Sequence, residues 1–239
     1  MDFIPIKTPK MIISALPNLV WHLPSRDKSI YLTFDDGPTP KITDWTLETL
    51  KAYNAKATFF CIGDNIKKHP EIFNRIHIAS HAIGNHTFNH LKGWRTKTQN
   101  YIENTLKAQN IIDSTRTLNT PQNSQYKGNT NQNSTNPNTT LVNYKLFRPP
   151  HGRLTPKQAK QLRALDYKIV MWNILSKDWN KKISKEKCLE NVIQNTSSGD
   201  IVVFHDSLKA AKNMQYALPR VLEHFSKRGF QFKRIPVSH

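Results

Sequence analysis

Acidic side chains are in short supply. Seventeen Asp and Glu stand against 35 Lys and Arg, a formal net charge of +18 over 239 residues. No acidic residue falls between Asp113 and Asp166. A balance of this kind favours encounter with acidic partners such as nucleic acid, anionic lipid or an anionic polymer, and is silent about the fold. Glycine is sparse too, at 8 residues, and the 14 prolines are scattered, which excludes collagen-like repeats. No apolar run approaches the ~20 residues that cross a bilayer, so no transmembrane span is expected. Two cysteines, Cys61 and Cys188, cannot build a disulfide framework. Cys61 lies in the apolar run 57–62 and reads as a small buried hydrophobe. The opening MDFIPIKTPKMIISALPNLVW lacks the marks of a signal peptide: its apolar stretch, 11–16, is interrupted by Ser14, closed by Pro17 and followed by no small-residue cleavage site. A cytoplasmic location is expected on that ground.

What is present suffices for one core, since hydrophobic residues make up 37% of the chain. Strand-like segments rich in Val, Ile, Phe and Tyr lie at 29–34, 57–62, 81–84, 145–147, 167–172, 200–204 and 230–234. Helical patterns fill the intervals at 41–53, 64–78, 97–113, 155–165, 184–195 and 209–227. Thr155-Pro156 predicts an N-cap with proline in the first helical position, and Arg228-Gly229 predicts a helix end. This alternation predicts an α/β domain with a mainly parallel sheet, open or closed into a barrel. Residues 1–28 read as a lead-in packed on a domain spanning 29–239. The Asn/Thr-rich stretch 117–143 has almost no large apolar residue and reads as a disordered insertion between a helix and the next strand.

The residues able to do chemistry cluster just past predicted strand ends: Asp35-Asp36, His86 with His90, Arg148 to Gly152, Asp178-Trp179 and His205-Asp206. In parallel α/β folds that rim is where sites assemble. His86 and His90 are four apart, so a helical segment would turn both imidazoles toward one metal ion. His77 and His81 share the spacing but lie at a helix end away from the rim, and read as surface or structural. Asp35 and Asp36 precede a Gly-Pro turn. One carboxylate can complete a two-His, one-carboxylate metal set while the other stays free as a general base. Alone, the pair is equally a turn and an N-cap. His205 has Asp178 as a candidate orienting carboxylate on the same rim; Asp206 points the other way by strand alternation. Arg148, stiffened by two following prolines, is either a surface cation or a fixed partner for a catalytic carboxylate. Trp179 is a pocket wall or plain core.

The ordered set TFDDGP, HTFNH, RPPHG, SKDW and IVVFH resembles the five motifs of carbohydrate esterase family 4, the polysaccharide deacetylases with the NodB-homology domain. The resemblance runs from about Ser29 to Arg234. It implies a distorted, incomplete (β/α)7-type barrel and a hydrolase that removes N-acetyl groups from sugars with one divalent metal ion. Zinc is the leading expectation, with cobalt, nickel or manganese as alternatives. By the resemblance, Asp36, His86 and His90 hold the metal, and Asp35 is the base that deprotonates the attacking water, tethered by Arg148. The backbone N–H of His151 helps bind the oxyanion. His205, oriented by Asp178, protonates the leaving amine, and Trp179 and Val203 line the acetyl pocket. Two positions depart from the family pattern: Leu175 stands where many members carry a further Asp, and His151 where an aromatic residue is common.

The implied substrate is an N-acetylated glycan, an N-acetylglucosamine polymer or a peptidoglycan-like polymer, and the positive charge suits an anionic one. Nucleic acid is not expected as a partner. The lysines are spread along the chain, and no zinc-ribbon, helix-turn-helix or RNA-binding signature appears. The competing readings are a non-catalytic glycan-binding relative and an amidase acting on a non-sugar C–N amide.

Overall fold

The computed structural model describes residues 4–25, 27–117 and 145–237. Its sheet is built around β1 (Ser29–Asp35), whose seven residues are all buried. A strand covered on both faces belongs at the centre of a parallel sheet. On one side follow β2 (Thr58–Cys61), β3 (Ala82–Asn85), β4 (Lys145–Phe147) and β5 (Tyr167–Ile169); on the other lie β7 (Ile201–His205) and then β6 (Ile174–Leu175). Each neighbouring pair on this path is parallel. A short β8 (Gln231–Phe232) pairs with the start of β1. The edge strands β5 and β6 do not pair with each other, so the curled sheet is the incomplete barrel that the five motifs imply.

Parallel strands need crossovers. These are supplied by α2 (Ile42–Ala52), α3 (Gly63–Lys68), α4 (Pro70–Ile78), α5 (Thr98–Thr117), α6 (Pro156–Ala164), α7 (Lys185–Ile193) and α8 (Ala211–Ser226), while α1 (Lys10–Ala15) precedes the sheet. The expected capping at Thr155 forms: its hydroxyl accepts the Gln158 N–H, and the Gln158 side chain accepts the Thr155 N–H. Such a box stabilises a helix start by about 1 kcal/mol. No described helix is long and apolar enough to cross a membrane.

Alternation along the strands sorts the core. Phe34, Phe59 and Phe204 are register neighbours on β1, β2 and β7. Their rings stack, with centroids 5.0 and 6.1 Å from that of Phe34. They belong to the outer cluster with Phe73, Leu218 and Leu222 of the helices. Each buried ring contributes about 1.5–3 kcal/mol. The residues one step along face the opposite way, so Thr33, Asp35, Phe60, Val203 and His205 turn toward the barrel interior.

The lead-in runs along both open edges of the sheet. Val20 N–H donates to the Ile169 carbonyl at 2.9 Å and Met171 N–H to the Val20 carbonyl at 2.7 Å. Lys7 lies opposite Ile174 in an antiparallel bridge. Trp21 is buried, whereas α1 buries none of its residues.

Two expectations need correction, and a third falls on residues that are not described. The helix expected over 64–78 is two helices, because Pro70 lacks an N–H and pushes His69 out of helical geometry (φ −135°, ψ 55°). The strand expected over 167–172 ends at Ile169, and the chain then bends to start the two-residue β6, too short to show an alternation in sequence. The stretch 117–143 lies, from residue 118 on, outside the described residues. Lys145, where the described chain resumes, begins β4, and Arg148 follows the other end of that strand.

Candidate active site and metal centre

The C-terminal end of β1 opens into a loop whose first residue, Asp36, has left-handed backbone (φ 81°). That geometry costs a residue with a Cβ about 1–2 kcal/mol. Side chains from other elements hold it. The Asn65 amide donates to the Asp36 carbonyl at 2.7 Å. The Gly37 N–H donates to Asp206 Oδ1 at 3.1 Å, and the Thr43 hydroxyl donates to Asp206 Oδ2 at 2.5 Å. A Cβ on Gly37 would collide with that carboxylate, so glycine is required there. Burial pushes the Asp206 carboxyl up to about 8, against the lowering effect of these hydrogen bonds.

His86 follows β3, and its Nδ1 is 2.8 Å from the Arg148 carbonyl oxygen. A carbonyl only accepts, so Nδ1 carries the proton and Nε2 presents its lone pair. Burial, only partly opposed by Asp35, pushes this imidazole down to about 4 and keeps it neutral. The segment to His90 is not the helix considered from the spacing. It is a tight turn in which Thr87 and His90 have left-handed backbone (φ 66° and 58°). Asn85 Oδ1 accepts the Thr87 N–H at 2.8 Å, and the Thr87 hydroxyl accepts the Leu91 N–H at 3.2 Å. This turn, not a helical face, brings the imidazoles together.

Asp36 Oδ1 is 3.7 Å from His86 Nε2 and 3.4 Å from His90 Nε2, and the three donor atoms all lie within 4.8 Å of one another. That Asp36 oxygen is buried and accepts no hydrogen bond from any described residue. Burial works against its ionisation, but His205, His86, His90 and His151 outweigh it and hold the carboxyl below the usual range. Two imidazoles and an orphaned carboxylate oxygen fit a divalent cation with coordination positions left open.

Two further pairs flank this set. Arg148 is fully buried, with its guanidinium 4.1 Å from the Phe60 ring centroid. Its Nη1 donates to Asp35 Oδ1 and to the Thr33 hydroxyl, both at 2.7 Å, while Nε and Nη2 donate to the Val170 and Met171 carbonyls. On β7, His205 is the register partner of Asp35. Its Nδ1 is 2.8 Å from Asp178 Oδ1. Burial disfavours the charged imidazole, yet Asp178, with help from Asp36 and Asp35, pushes His205 up to about 9.

A cavity of about 200 Å³ joins these groups. Eight of the ten residues singled out from the sequence line it: Asp35, Asp36, His86, His90, His151, Trp179, Val203 and His205. The other two, Arg148 and Asp178, stand behind Asp35 and His205. The His151 ring packs edge-on against His90 (4.6 Å) and Trp94 (5.4 Å), and Trp179 packs against His205 (4.8 Å). A larger concavity of about 420 Å³ beside Asp44 and Arg75 holds no such metal-ligating set among its described residues. The His77/His81 pair is not a site: His77 is exposed, and His81 is buried with Nδ1 accepting the Ala57 N–H at 3.1 Å. Sequence reasoning missed Thr33, Trp172, Lys209 and Ile4. Thr33 was within reach, since it lies two residues before Asp35 on the same strand face.

The polysaccharide deacetylase family model matches residues 22–170. The chain belongs to the polysaccharide deacetylase family. Carbohydrate esterase family 4, to which such deacetylases belong, is a family of metal-dependent hydrolases, and this chain carries a donor set suited to such an ion. A Bacillus cereus peptidoglycan-N-acetylglucosamine deacetylase is 29% identical over 216 residues, covering 90% of this chain and 89% of that protein. A crystal structure of a peptidoglycan N-acetylglucosamine deacetylase in complex with 4-naphthalen-1-yl-N-oxidanyl-benzamide superposes with a TM-score of 0.78 at 26% identity, over 96% of this chain and 95% of that one. A family pseudoenzyme from Bacillus anthracis shares the fold at 21% identity, with a TM-score of 0.71 over 90% of this chain and 66% of that one. Family membership and fold thus leave catalysis to be argued from the site.

Proposed function

We propose that this family member hydrolyses the N-acetyl amide of a peptidoglycan-type glycan, releasing acetate and a free amine. The observation that carries the reading is the meeting, in one cavity, of a carboxylate locked by Arg148 and an imidazole tied to Asp178, beside the Asp36/His86/His90 set. Asp36, His86 and His90 would hold zinc, the ion best matched to two imidazoles and one carboxylate. A divalent ion bound there supplies Lewis acidity, lowering a water's pKa toward about 7 and polarising the amide oxygen.

Asp35 takes the proton of the attacking water. Arg148 keeps its carboxylate aimed and satisfied on one oxygen, leaving the other for that proton. An amide nitrogen leaves poorly unless protonated, and His205, charged through neutral pH, gives its proton to that nitrogen. Asp178 fixes the ring so that Nε2 faces the cavity. The His151 backbone N–H helps receive the oxyanion. Trp179 and Val203 receive the acetyl methyl. The substrate class follows the peptidoglycan deacetylases that the chain resembles along most of its length.

The test is acetate release from N-acetylglucosamine oligomers and from peptidoglycan, each with and without a chelator. Chelator-sensitive acetate is the expected result. No acetate from either polymer by the zinc-loaded protein would sink the reading and leave a non-sugar amide or a binding role.

A further inference from the structure

The N-terminal segment builds part of the cavity wall. The Ile6 carbonyl accepts the Leu175 N–H at 2.9 Å, and the Thr8 N–H donates to the Asn173 carbonyl at 2.9 Å. With Lys7 opposite Ile174, residues 6–8 extend the sheet beyond its β6 edge. Leu175 is in turn the register partner of Val203. An apolar wall therefore runs from Val203 on β7 through Leu175 on β6 to the added segment. In this antiparallel direction the chain before Ile6 runs toward the rim. Ile4 lines the cavity together with Leu175, Trp179 and Val203. It is 38% exposed, as suits a side chain at the mouth.

We propose that Ile4 sets the length of the acyl group that the site accepts, an inference that rests on reading the site as an N-deacylase. The carbonyl carbon of the amide has to meet Asp35 and the Asp36/His86/His90 set. Its alkyl end turns away from those polar groups toward the apolar wall. An acetyl methyl ends against Trp179 and Val203. Each further methylene extends toward Leu175 and then meets Ile4. A side chain from the first few residues thus acts as the stop.

N-acetylglucosamine oligomers re-acylated with acetyl, propionyl or butyryl groups test this. Ile4→Ala should raise the kcat/KM ratio of butyryl over acetyl substrate roughly tenfold, the scale of a methylene or two in an apolar pocket, with the change mainly in KM. Ile4→Trp should lower the same ratio. Met11→Ala, an 84% exposed position on α1 outside the cavity, should leave it unmoved. Trp172 and Trp179 line the cavity and report binding by fluorescence. The relative affinity of butyrate over acetate should therefore shift in the same direction without turnover. An unchanged ratio in both Ile4 variants, in turnover or in binding, overturns the proposal. Failure of the parent protein to release acetate from any N-acetylated glycan would instead sink the deacetylase reading, and the binding ratios would still decide this one.

Discussion

Asp178 grips His205 twice, accepting its backbone N–H on Oδ2 at 2.6 Å and facing its ring Nδ1 with Oδ1 at 2.8 Å. One carboxylate therefore fixes both where the residue sits and which ring nitrogen is turned to the cavity. Its charge also overcomes the burial that would otherwise discharge the ring, which is why His205 titrates near 9 instead of 6.5. The sign follows from linkage. A raised folded-state pKa means that the charged imidazole stabilises the fold fully below pH 6.5, and that this contribution is lost as pH rises through about 9. Asp178→Asn should move the alkaline limb of the kcat–pH profile to lower pH and flatten the fall in Tm over the same window. An unmoved limb would take the proton-donor role away from His205.

Arg148 and Asp35 are a buried pair whose members depend on each other. Arg148→Met leaves the Asp35 charge without its partner and should destabilise the fold by about 3–5 kcal/mol in denaturant unfolding. Adding Asp35→Asn to that variant should recover part of the loss, because the unpaired charge is gone. Asp35→Asn alone should keep metal and lose turnover by roughly 10²–10⁴-fold, the scale of general-base catalysis. Full activity in that variant would place the base elsewhere.

The metal set is checked by stoichiometry. Elemental analysis after zinc loading and dialysis should find one ion per chain in the parent protein. His86→Ala combined with His90→Ala should hold none while its circular dichroism is unchanged. Undiminished zinc in the double variant would refute the assignment.

Asp206 supports the loop that carries Asp36. Asp206→Leu removes the acceptor for the Gly37 N–H and the Thr43 hydroxyl, which should cost about 1–3 kcal/mol per stranded group. Zinc affinity should fall 10–100-fold in a competitive titration, as when a ligand's supporting hydrogen bonds are removed. Asp206→Asn, which keeps one acceptor oxygen, should fall between. Equal affinities in all three proteins would mean that the loop holds its shape without Asp206.

Much of this was legible in the sequence because it depends on periodicity and strand ends. The first strand alternates Phe34 outward with Asp35 inward, and the rim position of Asp35, His86, Arg148 and His205 follows from where each strand stops, whereas Asp178 follows the two-residue β6 that no alternation marks. Less legible was whatever depends on side chains from distant elements. The convergence of His86 and His90 rests on Asn85 and Thr87 stabilising a left-handed turn, and nothing in a four-residue spacing distinguishes that from a helix. Alternation rightly turns Asp206 away from His205, but its hold on Gly37 and Thr43 is invisible until β7 is seen beside β1. The break before Pro70 was available in the residues themselves.

The lead-in carries one more consequence. Lys7 pairs with Ile174, and Val20 with Val170, partners that emerge from the ribosome long after them. This segment can therefore take its place only after residues far along the chain have been made. Until the strands at 167–175 exist, the backbone around Lys7 and Val20 has no sheet edge to join. Vectorial synthesis and assembly run in opposite orders here, and the cavity that Ile4 borders is completed only when the two ends of that history meet.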